Sequence, residues 1–375
     1  MPLPPLPDAA TVGGPGHISD SQMLEAYLKA LAAQDAIPID VLPDPAPGEA
    51  GHIAWHNAVV AGTKKVADAI GATVNLPPLG VKAGDKAHTA HHNLITKALN
   101  DAGAAVPFTV TGGEVKEIDG WTFNYWQDAG ASQMVVKGKG SLQVLCLGGG
   151  GGAGGFFTET TDGQIYFQYG GAGGGGGMDT VNSRADVPTL AVTAGTYEVK
   201  VGAGGVNSDF PNPGTNGKPS SIVGGDLSIT GLGGGGGGGG GRSGNMNASA
   251  GGCGGAPGYW FRKPDPAGSG GQPGKGSQGF DGAPFASEQS HGNGGSMTNN
   301  ESWSDARGWT GSQSKNPAWF TFLSSFGWAD YGVGVAVSSD ARNNDVPGMG
   351  GLFNQPAANW PANAGLVVVA YKAGI

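Results

Sequence analysis

Three stretches near the start place apolar residues at helical spacing. In "GHISDSQMLEAYLKAL" these are Met23, Leu24, Tyr27, Leu28 and Leu31; in "AHTAHHNLITKALNDA" they are Leu94, Ile95, Ala98 and Leu99. The i, i+3, i+4 recurrence predicts amphipathic helices of three or four turns. "GHIAWHNAVVAGTKKVADAI" between them reads the same way. The leading histidines, His17, His52 and His88, are 35 and 36 residues apart. That period marks a repeated supersecondary unit. Each unit opens on a proline-rich extended piece ("PLPPLP", "VLPDPAP", "NLPPLG"), usually followed by a glycine turn. Helices this short are marginal alone, so they need partners, either one another or copies in neighbouring chains.

From residue 106 the period changes to that of strands. "WTFNYW" and "QMVVKGKGSLQVLCL" alternate and are rich in β-branched residues. After residue 147 short strands are interleaved with glycine blocks. "TLAVTAGTYEVKVGAGG" has Val192, Tyr197, Val199 and Val201 at strand spacing, "SSIVGGDLSITGLGGGG" reads as a short pair, and "GLVVVAYKAGI" as a buried strand over Leu366 to Val369.

Composition sharpens this picture. Glycine stands at 75 and proline at 25 of 375 residues, a level usually read as low complexity. Yet 38% of residues are hydrophobic, 8% aromatic and only 13% charged, which is not the signature of disorder. Collagen needs glycine strictly at every third position and is excluded. The unbroken run over residues 233–241 would reach roughly 28 Å as a three-fold extended helix. Such a helix has no internal hydrogen bonds, and its peptide groups point outward in three directions. Several packed side by side can satisfy one another through backbone alone. The run therefore reads as a structural rod. The fold class expected is α+β and multi-domain: short-helix repeats over 1–105, a β connector over 106–147, and a mainly-β glycine-rich domain over 148–375. That domain is expected as a β-sandwich with packed polyglycine-II-like segments, and an aromatic-rich insert falls at about 257–363.

Charge and motifs exclude several functions. The net charge is −9 and no basic patch occurs, so nucleic acid is not an expected partner. The start, "MPLPPLPDAATVGG", lacks the regions of a signal peptide, and no apolar run would span a bilayer. Cys146 and Cys253 have neither disulfide-framework nor zinc spacing. No phosphate loop or dinucleotide fingerprint occurs, and no nucleophile elbow or zinc-protease motif, so neither catalytic residues nor a cofactor are expected. Glu288, Glu301, Asp305 and Asp330 could in principle form an acid/base pair, but nothing fixes their separation.

Two sets of residues stand out. The first is H-x-x-x-H-N, as His52, His56, Asn57 and again as His88, His92, Asn93. The first repeat, led by His17, has Ser21 and Gln22 at the last two places. Histidines at i and i+4 share a helix face and could hold a metal. Satisfying the orphan amides of a helix start is the preferred reading, because the first repeat lacks the second histidine and no carboxylate recurs, so no metal is assigned. The second set lies in the insert, which holds Trp260, Trp303, Trp309, Trp319, Trp328 and Trp360. These rings form either a local mini-core, since glycine supplies no apolar surface, or recognition residues on loops held by a rigid scaffold. The candidate receptor contacts are Trp303, Trp309, Trp319, Trp328 and Tyr331.

Four blocks in order, "SLQVLCLGGGGGAGG", "VTAGTYEVKVGAGG", "GGDLSITGLGGGGGGGG" and "GLVVVAYK", resemble the glycine-rich domain of bacteriophage tail proteins. The H-x-x-x-H-N repeats resemble those of minor tail proteins in phages of actinobacteria, mycobacteriophages included. The resemblance implies a virion component at the tail tip or tail fibre, assembled in the host cytoplasm. It implies a homotrimer with a host-contacting end, no catalytic residues and no membrane insertion. The implied partners are other phage tail proteins and a host cell envelope glycan or glycolipid. The alternatives are a purely structural tail-tip connector and a cell-wall-degrading enzyme. The insert departs from the family pattern.

Overall fold

The structure, a computed structural model, describes residues 3–6, 17–40, 51–78, 88–179, 189–225, 227–241, 245–263, 268–283, 294–295, 317–328, 346–353, 359–360 and 362–372. The three repeat helices are α1 (His17–Gln34), α2 (Gly51–Ala69) and α3 (His88–Ala105). They pack on one another. Leu24, Leu28 and Leu31 meet Trp55, Val59 and Val66, and Ile95, Leu99 and Ala102 close the core. The proline-rich pieces sheathe it, with Leu3, Leu6, Ile37, Ile39, Val74 and Leu76 laid against the same cluster. The helices thus find their partners within one chain, and their shortness gives no ground for trimerisation.

The strands are β1 (Thr109–Thr111), β2 (Glu114–Ile118), β3 (Trp121–Trp126), β4 (Gly130–Leu147), β5 (Phe157–Thr161), β6 (Gln164–Tyr169), β7 (Met178–Asp179), β8 (Leu190–Val201), β9 (Ser220–Gly224), β10 (Leu227–Gly231), β11 (Tyr259–Lys263), β12 (Gly268–Gly270), β13 (Leu352–Phe353), β14 (Asn359–Trp360) and β15 (Leu366–Tyr371). A short helix, α4 (Pro317–Ser324), precedes β13. The molecule is therefore mostly β with few helices.

The main antiparallel sheet runs β10-β9-β8-β4-β15-β3-β2, with β1 and β7 also paired to β4. Residues 106–147, read above as a connector, supply its central strand. Residues 130–142 of β4 pair with β8 and residues 143–147 with β15. A register shift between Val136 and Lys139 breaks the ladder, and Gly138 lies there at φ 69°. A bulge of this kind bends a strand and increases its twist, so in place of the expected sandwich the main sheet is curled over its core. Val367, Val369 and Tyr371 face Val192, Val199, Val201, Ile222 and Ile229. Leu366, Val368 and Ala370 face the other way, toward Phe123, Tyr125, Trp319 and Phe322. Burial on both faces explains why "LVVVAY" is continuously apolar rather than alternating.

The glycine blocks continue from the strands. β4 runs into 148–155, β8 into 202–206 and β10 into 232–240; 170–177 returns from β6 to β7. These segments belong to no helix or ladder, yet 148–155, 170–177 and 234–240 are buried throughout, and the segments are bonded with a period of three. Gly148, Gly151 and Gly154 donate to the carbonyls of Gly177, Gly174 and Gly171. Gly149, Gly152 and Gly155 donate to Lys218, Thr215 and Asn212, and Gly150 donates to Asn363. Each successive residue thus addresses a different neighbour, as a three-fold extended helix requires. The run at 232–240 is the interior rod. Its Gly234 and Gly237 donate to Gly149 and Gly152, and its Gly235 and Gly238 donate to Cys253 and Ala256. Its carbonyls at 234 and 237 accept from Gly217 and Gly214, those at 235 and 238 from Gly174 and Gly171, and Gly236 accepts from Ser249.

Close approach, rather than backbone freedom, demands glycine here. A β-carbon on Gly237 would overlap the carbonyl oxygen of Gly171, and one on Gly151 would overlap that of Gly235. Larger residues occur where a rod faces a core: Ala172 on one, Cys253 and Ala256 on another, all in the cluster around Trp319. Where no rod backbone is available, a carboxamide substitutes. Asn216 accepts from Gly236 N (2.9 Å) and donates to Ala250 O (3.0 Å). Gln278 accepts from Leu232 N (2.7 Å), and Asn207 accepts from Ala153 N (2.8 Å).

Candidate functional site

The motif histidines divide. His17 and His88 open α1 and α3, and His52 is the second residue of α2; their side chains lie outside the described residues. His56 and His92 are each 1% exposed. They are the sixth residue of α2 and the fifth of α3, more than a full turn past the helix start, and so the capping reading does not extend to them. They meet across α2 and α3 instead, with ring centroids 6.0 Å apart, and His92 stacks on Trp55 at 5.8 Å. Beside them the Trp55 indole N–H donates to Glu25 (3.4 Å). Asn57 and Asn93 are half-buried next to this cluster. Among the described residues no group of His, Cys, Asp or Glu is placed to hold a metal ion.

Two of the proposed contact rings are core residues. Trp319 is 1% and Trp328 4% exposed. α4 and the turn that follows it lay them against the outer face of the sheet, where Phe322 sits 4.9 Å and Trp319 6.2 Å from Phe123, and Trp328 stacks on Phe326 at 4.6 Å. The sheet face needs apolar cover that glycine cannot give, and the rings of α4 supply it. Neither ring can reach a receptor from there. Trp303, Trp309 and Tyr331 lie outside the described residues, as do Glu288, Glu301, Asp305 and Asp330. Among the described residues no helix is long and apolar enough to cross a membrane.

A different aromatic surface stands at the far end of the glycine lattice. The antiparallel bonding of 148–155 to 170–177 puts Gly148 and Gly177 beside β4, and residues 155 and 170 at the opposite end. Eight residues at about 3.1 Å each separate the two ends by about 25 Å. There the chain builds a second antiparallel sheet, β12-β11-β6-β5. Asp162 (φ 51°) and Gly163 (φ 71°) form the two-residue turn between β5 and β6. Both residues are left-handed, as the hairpin turn that matches strand twist requires.

The register divides this sheet into two faces. Tyr259 opposes Tyr169, and Phe261 opposes Phe167. Their rings stack at 5.0 and 4.8 Å, and Tyr259 and Phe261 are buried. Burial pushes the phenols of Tyr169 and Tyr259 upward in pKa, and the neighbouring phenol adds to the effect at Tyr259. The other face carries Phe157, Gln168, Trp260 and Ser269 in one row, with Glu159, Tyr166 and Arg262 in the next. Tyr166 and Trp260 lie 6.5 Å apart, tilted by 38°. Phe157 is 44% exposed and stacks on Phe210 at 5.0 Å. Tyr166, Trp260 and Arg262 are half-exposed.

β5 and β6 have a local signal in the sequence, since "TETTDGQIYF" carries an Asp-Gly hairpin turn between two β-rich runs. Trp260, by contrast, has no local signal that places it on this face rather than among the other rings of the insert. A family model described as a glycine-rich domain matches residues 127–372, about two-thirds of the chain. No curated protein and no solved structure matches.

Proposed function

We propose a function from one premise: the chain belongs to the glycine-rich domain family. It is a bacteriophage minor tail protein of the tail tip or tail fibre that contributes to host attachment without catalysis. One observation carries this reading: a lattice of backbone-bonded glycine rods holds a small, ring-bearing sheet about 25 Å from the main sheet. Rigid scaffolds that present recognition residues at one end suit attachment. The order of the four glycine blocks, and their resemblance to phage tail proteins, supports the same assignment. The helical bundle is the part that joins the chain to other tail proteins, and the assembled form is a homotrimer in the virion tail. The surface partner is a glycan or glycolipid of the host envelope.

Burial of Trp319 and Trp328 favours a second reading, a structural connector without receptor contact. Antiserum against the full chain decides between them when applied to virions of the phage that encodes it. Labelling of the tail end together with blocked adsorption supports attachment. Labelling with normal adsorption supports the connector, and virions that carry no label overturn both.

A further inference from the structure

We propose that the mixed face of β5, β6, β11 and β12 is a binding site for a neutral, pyranose-rich polysaccharide. Its biological role rests on the attachment reading above; its chemistry does not. The two faces of this sheet differ in kind. The Tyr169–Tyr259 and Phe167–Phe261 ladder is packed ring on ring, with Tyr259 and Phe261 buried. The opposite face spreads its rings, with Phe157, Tyr166 and Trp260 each beside hydrogen-bonding side chains. Arg262 opposes Tyr166 on one side and Glu159 opposes it on the other; Gln168, between Phe157 and Trp260, is buried, so Glu159 and Arg262 supply the polar groups a sugar meets.

That mixture fits a sugar better than other partners. A pyranose presents a face of weakly positive C–H bonds, which complements the negative face of an aromatic ring. Its edge carries paired hydroxyls. These act as both donors and acceptors, so they can bond at once to a guanidinium fork and to a carboxylate. Small numbers of placed polar groups among apolar ones fix orientation in ligand sites generally. Charge selects among glycans. Among its described residues the face holds one cation, Arg262, and one anion, Glu159, while the chain as a whole stands at −9. A polyanionic glycan or a nucleic acid would be repelled, whereas a neutral chain meets no such barrier. A protein partner would favour a more continuous apolar centre than these separated rings.

The test applies the full chain to an array of neutral hexopyranose oligosaccharides and polysaccharides, with polyanionic polysaccharides alongside. The chain is expected to be retained on at least one neutral glycan. Tyr166→Ala and Trp260→Ala should each weaken that retention about tenfold while the melting transition stays in place. Arg262→Gln, which keeps every ring, should weaken it as well and covers the case in which an alanine variant fails to fold. Retention on no neutral glycan overturns the proposal. So does retention that all three variants preserve, and so does retention confined to polyanions and abolished by about 0.5 M salt. Glycan retention by a chain whose antiserum labels no virion would keep the site and remove the tail reading. Virion labelling without glycan retention would do the reverse.

Discussion

Gly237 and Gly163 are the same residue for opposite reasons. At Gly237 the backbone angle is ordinary, but a β-carbon would overlap the carbonyl of Gly171. At Gly163 φ is 71° with nothing within 4 Å, so only conformation matters. Gly237→Ala must push two rods apart and should cost about 3 kcal/mol. Gly163→Ala should cost about 1 kcal/mol, the penalty of a left-handed L-residue. Urea unfolding of the two variants compares them directly, and equal losses would mean that the rods are not closely packed. Titration offers a second test at this scale. Burial, followed by the hydrogen bond from its phenol to Glu114 (2.6 Å), pushes Tyr125 up to about 12. A group whose pKa is raised by folding stabilises the protein fully below its unfolded pKa, about 10 for tyrosine. That contribution is then lost as pH rises through the folded value. The melting temperature should therefore hold level from neutrality and fall between pH 10 and about 12, in step with phenolate absorbance. Tyr125→Phe should remove part of that fall, and an unchanged profile would refute the assignment.

At the level of elements, strands and repeat helices were legible because their periods, 2 and 3.6, appear along the chain itself. β15 could be read from "LVVVAY" and the bundle from Leu24, Leu28 and Leu31. The destination of a ring could not. Trp319 stands in "NPAWFTFLSS", where Pro317 opens α4 at the position a helix start prefers. Nothing local says that its rings fall onto β3 and β15, because that partner lies some two hundred residues earlier in β3. The partners of His56 and His92 are hidden for the same reason: the i, i+4 spacing is visible along the chain, but the opposing helix is not. The face of β6 and β11 was missed because its strands are separated by the whole 170–258 lattice, so no local alternation joins Tyr166 to Trp260. A core role for Trp319 makes a sharp forecast. Trp319→Ala should destabilise the β domain by about 3–5 kcal/mol. A receptor ring on the surface would cost less than 0.5 kcal/mol, so chemical denaturation separates the two. A small loss would return Trp319 to the candidate contacts.

Across the whole molecule the question is why a glycine rod should be ordered at all. Fixing each residue costs about 1–2 kcal/mol of chain entropy, and one backbone hydrogen bond returns about 1 kcal/mol net. A lone rod in water makes no internal bonds and cannot stand. An interior rod differs, because its donors and acceptors are both used. Within 232–240, Gly234, Gly235, Gly237 and Gly238 each donate to one neighbour and accept from another. No rod reaches that state until its neighbours are in place, so order should arise for the lattice together with the strands that feed it. The ends are clamped for the same reason: β4, β8 and β10 run straight into rods, and Asn216 and Gln278 close positions that no backbone fills. Amide hydrogen exchange on the full chain tests this. Amides of residues 148–155, 170–177 and 232–240 should exchange as slowly as those of β15, through the global opening alone, although they belong to no helix or ladder. If they exchange at the rate of exposed loops while β15 stays protected, the glycine blocks are tethers rather than a lattice. The ring-bearing sheet at their far end would then have no fixed stance relative to the rest of the molecule, and the attachment reading would lose the observation that carries it.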